Sequence, residues 1–195
     1  MPKQITTEIE YLTQIKKRQI RQQIPPLALL VLSFLVGFVV PSFGHYPALI
    51  IAIIAVIWYM YVGTCHRFKE KIKVPDGDLL LSPVTGRVRS LKTSSDISLL
   101  RIDKSFIDLV EIRCPHASCE WEEDKLRVNY HGQSLIFRFE GEHLIRFVDA
   151  VMEAGNTIGY IVGNATCSIS IPKPLQTKLK PKEICMAGLS VILED

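Results

Sequence analysis

Thr166 and Cys167 stand side by side in the stretch VGNATCSISIP, residues 162–172. A hydroxyl and a thiol just after a glycine turn are residue types that become nucleophiles once a neighbouring base takes the proton. The stretch also alternates apolar and polar residues, so Cys167 reads equally as a small hydrophobe on a strand. A second cluster, CPHASC, brings Cys114, His116 and Cys119 together. Zinc uses such donors, but normally in paired ligand sets. Cys65, Cys167 and Cys185 stand apart, and no metal site is expected. HGQS (131–134) and EGEH (140–143) offer His–Glu combinations but lack the His-x-His pair of a zinc peptidase. There is no phosphate-binding or dinucleotide fingerprint. The acidic EWEED, residues 120–124, reads as a solvated turn. Five irregularly spaced cysteines make a poor disulfide framework and fit a reducing compartment.

Whatever these residues do, long apolar segments precede them. Residues 24–65 contain no Asp, Glu, Lys or Arg. That is too long for one membrane span and enough for two, at about 20 residues each. PSFGHYP, residues 41–47, supplies the break. The spans are expected over roughly 24–41 and 47–64, with Trp58, Tyr59 and Tyr61 at the interfacial end of the second. Lys16, Lys17, Arg18 and Arg21 precede the first span, and Arg67, Lys69, Lys71 and Lys73 follow the second. The positive-inside rule then places both termini on the cytoplasmic side of an inner (cytoplasmic) membrane. The long polar arm argues against a cleaved signal peptide. The arm, residues 1–23, carries five Lys/Arg against two Asp/Glu, whereas residues 66–195 hold eighteen of each sign. The net charge of +3 thus sits in the arm, and no nucleic-acid partner is expected. Ile5, Ile9, Leu12, Ile15 and Ile20 fit either a short amphipathic helix on an anionic membrane or a solvated arm.

From residue 74 onward the pattern shortens. SLLRID, IDLVEIR, KLRVNYH and SLIFRFEG alternate with period two, as half-buried strands do. TIGYIVG and TCSISIP read as two further short strands, and AGLSVILED closes the chain. EHLIRFVDAVMEAGN fits a helix with Leu144, Phe147, Val148 and Val151 on one face, or equally a strand pair. The expected architecture has a basic arm (1–23), a two-helix transmembrane hairpin (24–65) and a small, mainly-β domain (74–195). Gly-marked hairpins in the last 40 residues suggest a barrel-sandwich hybrid.

Taken in order, these motifs resemble those of the short, membrane-anchored phosphatidylserine decarboxylases and their archaetidylserine relatives, over about residues 20–195. LLSPVTGRV (80–88) is similar to the family's Ser-Pro-Ala-Asp-Gly-Arg-Val. SFIDLVEIRCPHAS (105–118) is similar to its central motif, with Asp108, Arg113 and Pro115 in matching places. GNTIGYIVGNATCSISIP (155–172) is similar to its last motif, Gly-x-x-x-Gly-x-Ile-x-Phe-Gly-Ser followed by a strand. The resemblance implies a decarboxylase-type β domain and, in active members, self-cleavage at a serine to form a pyruvoyl cofactor. Here Thr85 replaces the motif Asp, Val110 the His and Ile112 the Asn. The serine is matched by Asn164 or Ala165, in a self-cleavage region of Gly163, Asn164 and Ala165. All three catalytic roles are lost together. The implied protein is a phosphatidylserine decarboxylase-like protein of phospholipid metabolism that does not cleave itself and carries no cofactor. The alternative is an active aminophospholipid decarboxylase with Cys167 or Thr166 as nucleophile, Asp108 in the site, and His116, His131 or His143 as base. Arg113 and Arg146, with forked donors, are the candidate headgroup contacts. The implied partners are a phospholipid membrane and either a second copy or an active relative.

Overall fold

The computed structural model describes residues 4–6, 8–39, 45–64, 72–123, 125–147 and 150–193. Two compact units emerge, one of residues 9–66 and the other of residues 1–8 with 67–195.

In the first unit α1 runs from Glu8 to Val39 and α2 from His45 to Thr64. Residues 19–39 and 46–64 within them are long and apolar enough to cross a membrane, by length and composition. Large side chains such as Leu32, Phe38, Ile50 and Ile57 are exposed, while small ones, Ser33, Ala48 and Ala55, are buried. Ala48 Cβ would lie 3.8 Å from a Cβ on Gly37, so the helices approach through small residues. Apolar bulk turned outward suits hydrocarbon and is costly in water. The arm and the first span, expected as separate segments, are one helix. Pro25 and Pro26 lie inside it and cannot donate to the carbonyls four residues back. Much of the expected 41–47 turn lies outside the described residues, as do Cys65, Arg67, Lys69 and Lys71.

The second unit is mainly β and begins with β1 (Gln4–Thr6). After the helices come β2 (Leu80–Leu81), β3 (Gly86–Thr93), β4 (Ile97–Lys104), β5 (Glu111–Arg113), β6 (Cys119–Glu122) and β7 (Lys125–Tyr130). They continue with β8 (Gln133–Phe147), β9 (Thr157–Pro172), β10 (Ile184–Cys185) and β11 (Val191–Leu193). Nine strands form one sheet that curls into a half-barrel, with β10-β3-β4-β9-β8-β7-β6 in order. β1 adds to β8 in parallel, β5 adds to β9, and β11 pairs with β2 separately. Period-two burial along β4 and β7 turns Leu100, Ile102, Leu126, Val128 and Tyr130 into the core with Phe137, Ile158 and Ile169. The exposed face carries the alternating charges.

The structure changes several expected elements. TIGYIVG and TCSISIP are one sixteen-residue strand, β9, because Gly163 forms a bulge instead of ending the ladder. IDLVEIR is strand only at 111–113. Residues 142–147 belong to β8, which excludes the helix there; Val148 and Asp149 lie outside the described residues. EWEED begins as strand β6 and turns at Glu123, with Asp124 outside the described residues. Cys114 and Cys119 form a disulfide, against the expectation of none; the chain between them turns back far enough to bring their Cα atoms to 6.8 Å.

Candidate functional site

β9 is shared by two partners on one edge. Its C-terminal half, residues 165–172, pairs with β4, and its N-terminal half, 157–160, pairs with β5. On the other edge the β8 ladder jumps from Gly141↔Ala165 to His143↔Val162. Gly163 and Asn164 thus face the single residue 142, which is a β-bulge. Gly163 has φ +85°, where glycine is favoured because it lacks a Cβ. β4 stops at this bulge, and residues 105–110 cross it to reach β5. The split leaves a cavity of about 650 Å³.

Register decides which side chains line it. Arg87 on β3, Asp103 on β4, Thr166 on β9 and Glu140 on β8 stand directly opposite one another. Directly paired residues project from the same face, so the four form one row, and all four line the cavity. Thr166 Oγ1 donates to Asp103 Oδ1 at 3.1 Å. Arg89 also approaches Asp103, with Nη1–Oδ2 3.3 Å. Lys104, only 3% exposed, donates from Nζ to the carbonyls of Ser105 and Gly163, both at 3.1 Å. Asp108 Oδ2 accepts from Ser105 N at 2.7 Å, and Asn164 Oδ1 accepts from Phe106 N at 2.9 Å. These bonds tie the crossing segment to the bulge. The cavity therefore presents Arg87 and Lys104 beside Asp103, Asp108 and Glu140. Such a wall can hold a small molecule carrying both charges, and it sets a hydroxyl against a carboxylate. Ile107 and Ile184, 52% and 62% exposed, add an apolar border.

Of the residues singled out from sequence, Thr166, Asp108, Asn164 and Ala165 line this cavity, and Gly163 shapes it. Cys167 does not line it. Alternation along β9 turns it to the opposite face, where it is 1% exposed and burial pushes its thiol pKa well up. A nucleophilic cysteine needs its thiolate, and burial of this kind suppresses it. Cys185 is pushed up to about 11 by burial and by Glu183. Iodoacetamide at pH 8 is accordingly expected to leave Cys167 unmodified in the folded protein and to label it after denaturation. Labelling at the rate of a free thiol would refute its burial. The sign of the pH effect follows. Above pH 9 the unfolded thiols lose protons that the folded ones retain, so stability is full below pH 9 and falls as pH rises toward 11.

The positions matched to catalytic roles are structural. Val110 and Ile112 are buried in the core. Thr85 is buried and accepts from Ala187 N at 3.1 Å. Neither Asn164 nor Ala165 carries a hydroxyl, so these residues do not fit a pyruvoyl group. Arg113 is 2% exposed, its Nη2 3.3 Å from Glu111 Oε1 and its Nη1 donating to Gly155 O at 2.8 Å. That keeps its guanidinium from the surface where a headgroup would meet it. Arg146 is half-buried, 5.5 Å from the centre of the Trp121 ring, and does not line the cavity. His116 and His131 converge on Asp78 instead, with Nε2–Oδ distances of 2.7 and 3.7 Å, and His143 is exposed opposite Val162. No group of three or more metal-binding side chains occurs among the described residues.

Sequence reasoning missed Arg87, Asp103, Lys104 and Glu140. The alternation in SLLRIDK places Arg101 and Asp103 on one face, but only register shows what lies beside them. No protein-family model, no curated protein and no solved structure matches this chain.

Proposed function

We propose that this chain is a membrane-anchored protein of phosphatidylserine decarboxylase type that stays uncleaved and binds the headgroup of an aminophospholipid. One observation carries the reading. The cavity at the Gly163 bulge, where the motif resemblance would put the self-cleaving serine, holds two cations and three carboxylates but not the family's serine, first-motif aspartate or histidine. Arg87 suits a phosphate, and Lys104, buried and bonded to two carbonyls, adds positive charge to the cavity, while Asp103, Asp108 and Glu140 suit an ammonium group. The two candidate membrane helices would keep the domain near its ligand.

The test pairs intact mass with binding. The full-length protein in detergent should give a single species near 22.1 kDa. It should bind soluble glycerophosphoserine or glycerophosphoethanolamine, and Arg87→Ala with Asp103→Ala should weaken that binding at least tenfold. Absence of binding to either compound would sink the proposal.

A second reading is favoured by the Thr166–Asp103 hydrogen bond, which pairs a nucleophile with a base. In that case Thr166 Oγ1 attacks the Ala165 carbonyl and displaces the peptide nitrogen to give an ester. Loss of the Thr166 α-proton then expels the Ala165 carboxylate. Water hydrolyses the resulting imine to a 2-oxobutanoyl end with release of ammonia, so the chain breaks between the two residues. Two fragments from the wild type, and one intact species from Thr166→Val, would establish it over the first.

A further inference from the structure

We propose that the Cys114–Cys119 disulfide is a redox switch governing the domain's hold on the segment of residues 78–81. This segment follows α2 and includes β2. Leu80 and Leu81 are buried and pair with β11, while the polar bonds of Asp78 and of the Leu81 N–H go to the disulfide loop and its neighbours. Leu81 N donates to Pro115 O at 3.0 Å. His116 Nε2 meets Asp78 Oδ1 at 2.7 Å, and Tyr130 Oη donates to Asp78 O at 3.0 Å. His131 flanks the same carboxylate, and its ring packs edge-on against Tyr130, as does that of His116. His116 Nδ1 lies 2.6 Å from Ser118 Oγ, which donates to the Asn129 carbonyl. Two residues of the loop thus bond directly to the segment, and a third positions the histidine.

The loop's ends are fixed independently. Cys114 N donates to Asn156 O and Gly155 N donates to Cys114 O, at 2.7 and 2.8 Å. Cys119 pairs with Val128 in the β6–β7 ladder. The disulfide joins these two anchors, and only residues 115–118 lie between them. Cys114 is fully buried and Cys119 is 6% exposed, with its sulfur 3.7 Å from that of Met152. A bonded sulfur pair sits near 2.05 Å. Two thiols need van der Waals separation, about 3.5 Å or more. Reduction therefore drives the sulfurs apart in a packed site, and the loop is the element able to yield.

The chemistry is thiol–disulfide exchange with a dithiol reductant. Its thiolate attacks the Sγ of Cys119, the less buried of the two residues, forming a mixed disulfide. Cys114 leaves as thiolate and takes up a proton. The second thiol of the reductant then displaces Cys119, which is also protonated. Two electrons pass to the protein, and the reductant becomes a disulfide.

The test uses full-length protein in detergent, with dithiothreitol as the reductant. Differential alkylation reports the bond, and amide hydrogen exchange reports the segment. Complete reduction is expected to speed exchange at residues 78–81 and 115–118 at least tenfold while residues 97–104 of β4 stay protected. His116→Ala should speed exchange at 78–81 in the oxidised protein, showing that the hold runs through the loop. Three results would overturn the proposal. One is alkylation of both cysteines without reductant. Another is unchanged exchange at 78–81 after complete reduction. The last is equal loss of protection in β4, which would make the bond a general staple.

Discussion

Arg113→Ala is expected to lower the unfolding free energy of the β domain by about 3–5 kcal/mol, the usual cost of stranding one partner of a buried ion pair. Arg113 and Glu111 are both almost fully buried, at 2% and 1% exposure, and face each other at 3.3 Å. Removing the guanidinium leaves the Glu111 carboxylate in the interior without its counter-charge. It also removes the bond to Gly155 O. Urea denaturation in detergent, followed by circular dichroism, measures the loss. Two comparisons give it meaning. Arg146→Ala, which removes a half-buried cation–π contact, should cost about 0.5–1 kcal/mol. Arg113→Met with Glu111→Leu together should recover most of the loss, because an apolar pair of similar volume replaces both charges. A single-variant loss below that of Arg146→Ala would show that the pair does not hold the domain.

The second large effect is expected at Gly86. A Cβ there would lie 2.4 Å from the carbonyl oxygen of Asp103, which is backbone and cannot swing aside. Gly86→Ala must therefore push β3 away from β4 where Arg87 faces Asp103. Overpacking of this kind costs about 1–3 kcal/mol. The proposed headgroup binding should fall with it, because Gly86, Arg87 and Asp103 all line the cavity. Calorimetric titration of the variant with glycerophosphoserine, beside its denaturation curve, reads both. A variant with unchanged stability would show that the β3–β4 approach is looser than the backbone geometry requires.

The sequence made the helices and many of the strands legible because each rests on local pattern. A charge-free run of 42 residues needs no partner to be read as two helices long and apolar enough to cross a membrane. The period-two alternation in β4, β7 and β8 likewise announces a sheet with one buried face. What was hidden depends on pairing. Gly163 looks like the end of a strand from either side, and only the β8 ladder shows that the strand continues through a bulge. Asp103 and Glu140 lie in separate segments until register sets both beside Thr166. Cys114 and Cys119 were obscured by an odd cysteine count, which says nothing about two residues that meet across one loop. Arg113 was singled out for its forked donors, but the short strand β5 places it beside Glu111 in the interior. Its alternation with Ile112 gave no sign that both faces of β5 are buried.

β1 carries a consequence of its own. Residues 4–6 precede the helical hairpin and residues 72–193 follow it, yet both belong to the same folded unit through the parallel pairing of β1 with β8. The hairpin is therefore an insertion within a domain rather than a leader in front of one. If α1 and α2 cross a bilayer, the chain must come back to the leaflet from which it departed, since a strand cannot hydrogen-bond across the hydrocarbon. The parity of crossings is fixed by β-sheet pairing alone, and an odd number is incompatible with the fold. Flanking Lys and Arg residues are then left with a single choice to make, that of which compartment receives the whole domain.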